Sequence, residues 1–368
     1  MRTQLQPRRG RLAMRAVLAV LALLVVAAAT SVPSGATTTH TGPASANPLA
    51  AAPWGVNTGR SEGIYPAWQE ATGTTKQLLA RIALRPRVHW FGAWTPTSDI
   101  AGLVRAYISQ TQAGNANALV QLAVFRVYPG GERAKSVPLT AAAQADYKAW
   151  VDQVAAAIGT ARVALILEPD LALALHGWRP AVRLGLVSYA ARVFSALQRT
   201  SVYIDASAAD WLQVPTAASM LRSAGVAHVR GFALNATHYD STAAQVTFGR
   251  QIVAALTNAG IPNRHFVVNT ADTGRPFTWP QYWVKHPHGN FNNAEVCRNR
   301  TEQRCVTLGI PPTTDVGNSA WHLPATVAAA AHKWCDGYLW FGRPWLDNQA
   351  APFDRQRALA VAATTPYH

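Results

Sequence analysis

Residues 164–172 read Ala164-Leu165-Ile166-Leu167-Glu168-Pro169-Asp170-Leu171-Ala172. An apolar, strand-forming run stops at two carboxylates separated by a proline. The proline fixes φ and ends the ladder, so it aims the next residues into the loops beyond the strand tip. An acid held there beside apolar neighbours is a candidate for a raised pKa, and so for proton donation near neutral pH. The competing reading is that Glu168 and Asp170 only cap the next helix.

The pattern repeats on both sides. Strand-like runs lie at Val88–Phe91, Ala118–Phe125, Arg162–Leu167, Val202–Asp205, Val229–Asn235, His265–Asn269 and Gly337–Phe341. Between most of them fall amphipathic helical patterns: Ile100–Thr111, Ala141–Ile158, Ala181–Leu197, Pro215–Ala224, Ala243–Ala259 and Pro324–Trp334. Strands alternating with helices imply parallel pairing through right-handed crossovers. Seven such units predict an α/β fold, a TIM-like parallel barrel or near-barrel; by pattern alone, a doubly wound open sheet remains the alternative.

Either architecture gathers functional groups at the C-terminal strand ends. Those ends carry Trp90 and Trp94; Arg126 and Tyr128; Glu168 and Asp170; Asp205; Asn235, His238 and Asp240; Asn269 and Asp272; and Trp340, Arg343, Trp345 and Asp347. Indole faces stack on sugar rings, while carboxylates and amides bind hydroxyls and move protons, so the rim predicts a glycan cleft. The chain has 13 tryptophans, and most are expected in the core, Trp150 and Trp211 among them. Trp94, Trp340 and Trp345 are the subsite candidates, because they lie at or beyond strand ends.

Arg2, Arg8, Arg9, Arg11 and Arg15 precede an apolar run from Ala16 to about Ala29 and then small residues. Residues 1–36 therefore read as a secretory signal, the run being shorter than the ~20 residues of a membrane span; an uncleaved N-terminal anchor is the alternative. Residues 37–46 read as a flexible linker, and 47–368 as one catalytic domain with no membrane association after cleavage. Removing the five arginines lowers the net charge from +15 to about +10. An exported protein of that charge is expected to adsorb to anionic cell-wall polymers. No zinc knuckle, recognition helix or aromatic RNA motif points to nucleic acid.

Three cysteines in an exported chain suggest one disulfide and one thiol. Cys297 and Cys305 flank the polar segment Arg298–Arg304 and form the expected pair; a bridge from either to Cys335 stays open. His238 and Asp240 lack a third ligand, so no metal or other cofactor is expected.

Several anchors, in order, resemble glycoside hydrolase family 6, the inverting cellulases. They are Asn47-Pro48, Trp90-Phe91-Gly92-Ala93-Trp94, Ile166-Leu167-Glu168-Pro169-Asp170, Val202-Tyr203-Ile204-Asp205-Ala206, Gly231-Phe232-Ala233-Leu234-Asn235, Leu308-Gly309-Ile310-Pro311-Pro312-Thr313-Thr314 and Tyr338-Leu339-Trp340 with Arg343-Pro344 and Asp347. The resemblance implies a distorted seven-stranded parallel barrel. It implies Asp170 as the general acid, Asp347 as candidate base and Asp205 as electrostatic support. Inversion requires a second carboxylate or a water relay on the opposite sugar face. Substrate contacts are expected from Trp94, Phe125, Glu168, Asn235, Asn269, Trp340, Arg343 and Trp345.

The chain also departs from the family's pattern. After the second strand the family carries Tyr-Asn-Ile-Pro and Arg-Asp-Cys, where this chain reads Phe125-Arg126-Val127-Tyr128-Pro129-Gly130-Gly131-Glu132. The tyrosine hydroxyl is lost at Phe125, and the aspartate that keeps the acid protonated falls on Gly131. Glu132, one residue on, is the candidate substitute. The family's histidine becomes Ala208, and its last-loop lysine and glutamate become Gly342 and Leu346. The expectation is a secreted, monomeric, endo-acting β-1,4-glucan hydrolase with an open groove. The rival reading is an inactive glycan- or wall-binding protein on the same barrel.

Overall fold

The computed structural model describes residues 46–61 and 63–367; the signal and most of the linker lie outside them. Seven strands form one sheet: β1 (His89–Gly92), β2 (Val120–Phe125), β3 (Val163–Leu167), β4 (Thr200–Asp205), β5 (Gly231–Leu234), β6 (His265–Asn269) and β7 (Cys335–Leu339). They pair in sequence order and all in parallel. Leu122 of β2 stands beside His89 of β1 and Leu165 of β3, and Leu165 beside Val202 of β4.

The sheet curls until its edges touch. Val88 N–H donates to Trp340 O at 2.9 Å and Trp90 Nε1–H to Phe341 O at 2.8 Å, and among the described residues no β1–β7 ladder closes the ring. The expected seven-stranded barrel is therefore present in distorted form, and the open doubly wound sheet is excluded. Each strand begins or ends within three residues of its predicted bounds. The described residues, 46–61 and 63–367, belong to one compact unit.

Helices such as Thr97–Gln112, Ala141–Ile158, Pro180–Ser195 and Thr242–Asn258 pack outside the sheet and cover its apolar side chains. Every residue of β2, β3 and β6 is buried, as expected for strands covered on both faces. At the N-terminal end, buried Asp336 accepts from Arg230 Nε at 2.7 Å and Tyr203 Oη at 2.8 Å. It lies 3.3 Å from His265 Nδ1, so one ion ties β4, β5, β6 and β7 together. A second apolar cluster, built on Trp340, Trp345, Tyr239 and Phe291, seats the loops after β5, β6 and β7. Cys297 and Cys305 are bridged, which staples residues 298–304, and Cys335 is a buried thiol.

Candidate active site

Three consecutive strand tips share a backbone feature that opens the site. Glu168 and Asp170 after β3, Ser207 after β4 and Asn235 after β5 all have positive φ, at 54°, 63°, 75° and 72°. Non-glycine residues pay about 1–3 kcal/mol for such conformations, which persist where the surroundings over-determine them. Here the surroundings are visible. Glu168 N–H donates to Val124 O at 2.7 Å, Asn235 N–H to Ser207 O at 2.8 Å and Ser207 N–H to Asp205 Oδ1 at 3.0 Å.

The helix-cap reading of the Glu-Pro-Asp tip fails, because Asp170 precedes a 3₁₀ turn, Leu171–His176, without a side-chain cap bond. Glu168 is instead a fully buried clasp. Its Oε2 accepts from Arg126 N–H at 2.9 Å and Val127 N–H at 3.0 Å, and Oε1 from Tyr147 Oη at 2.9 Å. Burial still raises its pKa to about 7. With both oxygens occupied, Glu168 holds the loop after β2 and does not face a sugar.

Asp170 is 5% exposed. Its Oδ1 accepts from Thr237 Oγ1 at 2.6 Å, and its Oδ2 is buried. Burial, then the charge of Glu132, then that of Asp205 push its pKa well above the ordinary carboxylate range. Asp205, fully buried, is raised to about 7 by the same desolvation, against N–H bonds from Ser207 and Leu171 that favour its charge. The fold thus assembles Asp170, Asp205 and Glu132 from three different strand-end loops. Burial and neighbouring negative charge both disfavour ionisation, so Asp170 holds its proton more tightly than an ordinary carboxyl.

Beside this cluster opens a cavity of about 960 Å³. Trp90, Trp94, Phe125, Thr237, Glu132 and Arg343 are among its walls. Trp94 is 59% exposed, and its ring lies over Gly92, where an added Cβ would come within 2.3 Å of the indole. That close approach explains the glycine of the Trp-Phe-Gly-Ala-Trp segment. Phe125 lies 6.3 Å from Trp94, ring to ring, so the two make an apolar wall. The Arg343 guanidinium sits 4.2 Å over the Trp90 ring, which presents charge instead of an indole face.

Other expected contacts are corrected. Trp340 and Trp345 are buried in the second core, with Trp340 Nε1–H donating to Ile310 O at 2.9 Å. A ring enclosed on both faces offers nothing for a sugar to stack on. Asn235 and Asn269 are also fully buried and serve each other. Asn269 Nδ2 donates to Asn235 O at 3.0 Å and Asp272 Oδ1 at 2.9 Å, while its Oδ1 accepts from Phe341 and Gly342 N–H. They lock the tips of β5, β6 and β7 together. Asp272, raised to about 8 by burial, belongs to that lock.

Asp347 lies one position off the wall: Leu346 and Asn348 line the cavity and Asp347 does not. Its Oδ1 accepts from Asn293 Nδ2 at 2.9 Å. His238 and Asp240 serve the rim. His238 Nδ1 meets Asp210 Oδ1 at 2.8 Å, and Asp240 accepts from Ser241 N–H at 2.6 Å and Gln245 Nε2 at 3.0 Å.

Sequence reasoning missed Thr237, Tyr147 and Arg183. Thr237 lies just past a predicted strand end and was within reach; Tyr147 and Arg183 sit in helices and carry no local signal. Arg183 is fully buried and donates to the carbonyls of Val127, Ala134, Lys135 and Val137, fastening the loop that bears Glu132.

The model of the family described as glycosyl hydrolases family 6 matches residues 53–336. Endoglucanase A of Cellulomonas fimi is 35% identical over 239 residues, 64% of this chain and 47% of that protein. Endoglucanase A of Thermobispora bispora is 28% identical over 207 residues, 54% of this chain and 44% of that one. The chain spans about half the length of these curated relatives. Among solved structures, the endoglucanase Cel6 from Mycobacterium tuberculosis superposes with a TM-score of 0.67 at 26% identity, over 86% of this chain and 98% of that one. It was solved in complex with methyl-cellobiosyl-4-deoxy-4-thio-β-D-cellobioside.

Proposed function

The chain belongs to glycosyl hydrolases family 6, and from that premise we propose that it hydrolyses β-1,4-glucan chains at internal linkages with inversion. One observation carries the reading: an aromatic-walled cavity, lined by Thr237 and Glu132, borders Asp170 and Asp205, two buried carboxyls whose burial favours the protonated form. Aromatic faces and an open volume suit a sugar chain, and a carboxyl kept neutral suits protonation of a departing oxygen. In this reading Asp170 supplies that proton and Asp205 raises its affinity for it. Inversion then needs a water on the opposite face. Asp347, through the oxygen not taken by Asn293, is the residue assigned to polarise that water. Export by the N-terminal signal, adsorption to anionic wall polymers through the basic surface, and action as a monomer complete the proposal.

The test uses purified protein lacking residues 1–36. It should release reducing sugar from soluble β-glucan at pH 7, and the first product seen by proton NMR should be the α-anomer. Asp170→Asn should remove that activity at pH 7. A wild-type protein inert on a broad panel of β-glucans sinks the reading.

One observation favours the alternative, a glycan-binding protein without turnover: Asp170 is not itself in the cavity wall. That alternative predicts saturable binding of cello-oligosaccharide, unchanged in Asp170→Asn and without product.

A further inference from the structure

The wall of the cleft is cationic. Among its described residues three are arginines, Arg60, Arg133 and Arg343, and one, Glu132, is acidic. Arg60 and Arg133 are exposed, and among the described residues neither makes an ion pair. Arg343 sets its charge 4.2 Å over the Trp90 ring. Two acids of the family's pattern fall on uncharged wall residues here, Gly131 and Leu346.

Each guanidinium stands on backbone fixed from elsewhere in the fold. Arg60 lies in the turn before the helix Ile64–Glu70, and that turn is seated on helix Thr97–Gln112. There buried Asn57 donates from Nδ2 to Thr111 Oγ1 at 3.0 Å and accepts the Gly59 N–H at 2.9 Å. Arg133 lies in the 3₁₀ turn Glu132–Ser136, where Ala134 O and Lys135 O accept from buried Arg183 at 3.1 and 3.0 Å. Gly130 and Gly131, at φ 91° and 88°, lead the chain into that turn through angles that side chains with a Cβ rarely adopt. Arg343 N–H donates to Gln349 Oε1 at 3.1 Å, and the preceding Gly342 N–H to buried Asn269 Oδ1 at 2.9 Å. Three segments far apart in the chain thus bring positive charge to one cavity wall.

We propose that the cleft recognises an acidic glycan, a β-1,4-linked glucan chain that carries carboxylates, with Arg60 and Arg133 as specificity-determining residues beside Arg343. This rests on the reading of the cavity as a glucan cleft. A guanidinium presents a planar fork of N–H donors that matches a carboxylate through two parallel hydrogen bonds. A carboxylate at C6 leaves the sugar ring unchanged in shape. Its faces can still meet Trp94 and Phe125 while the acid groups at the ring edge meet the arginines. Positive charge on the low-dielectric walls of a cleft also concentrates an anionic chain before it docks. A neutral glucan offers the same arginines only hydroxyl acceptors, which bind a guanidinium less strongly than a carboxylate does.

Binding is measured by calorimetry on Asp170→Asn protein lacking residues 1–36, so that no ligand is consumed. The ligands are cellohexaose, a hexamer of β-1,4-linked glucuronic acid, and O-carboxymethyl cellohexaose. The last two separate a carboxylate built onto the ring from one on a pendant group. At an ionic strength of about 0.05 M, an acidic ligand should bind about tenfold tighter than cellohexaose, the combined effect of two or three ion pairs. That ratio should shrink at about 0.5 M, where the Debye length falls to roughly 4 Å. Arg60→Gln combined with Arg133→Gln should remove most of the ratio. Arg250→Gln combined with Lys333→Gln takes the same charge from a separate groove between helices Thr242–Asn258 and Ala325–Trp334, and should leave the ratio intact. Thermal melts confirm that all variants fold.

Two results overturn the proposal. One is cellohexaose bound at least as tightly as both acidic ligands. The other is a ratio that falls equally in the two double variants, which assigns it to overall charge and not to the cleft. Binding of none of the three ligands overturns the glucan-cleft reading and this inference together. Turnover is scored apart, by reducing-sugar release from protein with Asp170 intact. Acid-selective binding in a protein that cleaves no β-glucan sinks the hydrolase reading and leaves the recognition of an acidic glycan standing.

Discussion

Replacing Thr237 by valine removes one hydrogen bond and keeps the shape of the side chain. Thr237 Oγ1–H lies 2.6 Å from Asp170 Oδ1, and this contact favours the charged form of Asp170. A hydrogen bond to a charged group contributes about 1.5–3 kcal/mol, and one to a neutral group about 0.5–1.5. The difference, on the order of 1–1.5 kcal/mol, is what the ionised carboxylate loses beyond the neutral acid. At about 1.4 kcal/mol per pKa unit, the carboxyl should hold its proton to a pH roughly one unit higher. Activity needs that proton, so kcat falls as pH rises through the raised pKa of Asp170, and Thr237→Val should move this basic limb upward by about one unit. The acid limb should stay where it is. The assay is a pH–kcat profile on cellotetraose from pH 4 to 10, with a thermal melt at each end. A basic limb that moves downward, or stays fixed while the protein keeps its activity, would refute the assignment of Asp170 as the proton donor.

Stability should also depend on pH in a defined direction. Burial raises Glu168 and Asp205 to about 7, above their unfolded values near 4, so their contribution is fully present below about pH 4 and lost as pH rises through 7. Asp336 has the opposite sign: burial would raise it, but Arg230 and His265 hold it below its usual range, so its contribution is lost in acid. Melting temperature should therefore peak near pH 5 and decline toward pH 8, and a melting temperature that rises from pH 5 to 8 would contradict this. The tryptophans should separate cleanly in a stability and binding assay. Trp340→Ala should cost about 3–5 kcal/mol of stability. Trp94→Ala should leave stability within about 0.5 kcal/mol and weaken cello-oligosaccharide binding roughly tenfold. Opening the Cys297–Cys305 bridge should cost about 2.5 kcal/mol by loop-closure entropy, and a Cys297→Ser/Cys305→Ser melt checks it.

How much was legible before folding depends on where each signal lives. Seven strands could be read because strand and helix periodicities are local, and parallel order followed from their alternation. The carboxylates at strand tips could be read for the same reason, since a tip is defined by its own sequence. Their employment could not. Asp170 and Glu168 stand two residues apart on one tip. Glu168 is clasped by a tyrosine and two amides, and Asp170 takes a threonine hydroxyl from the loop after β5. Trp94 and Trp345 look alike as residues past a strand end, yet one is open to the cleft and the other is sealed in a second core. Exposure is decided by which loops fold over a position, and no local pattern records that.

The sequence by itself determined the parallel α/β architecture, the family and the supply of acids at the rim, because these depend on periodicity and ordered motifs. The tertiary structure decided which acid meets the cleft. Thr237, from the loop after β5, lines the cavity and takes Asp170 Oδ1, while Arg183, buried in a distant helix, holds the carbonyls of the loop that brings Glu132 to the wall. Contacts between residues some fifty positions apart set that order of depth, and order of depth sets which carboxyl can reach a substrate.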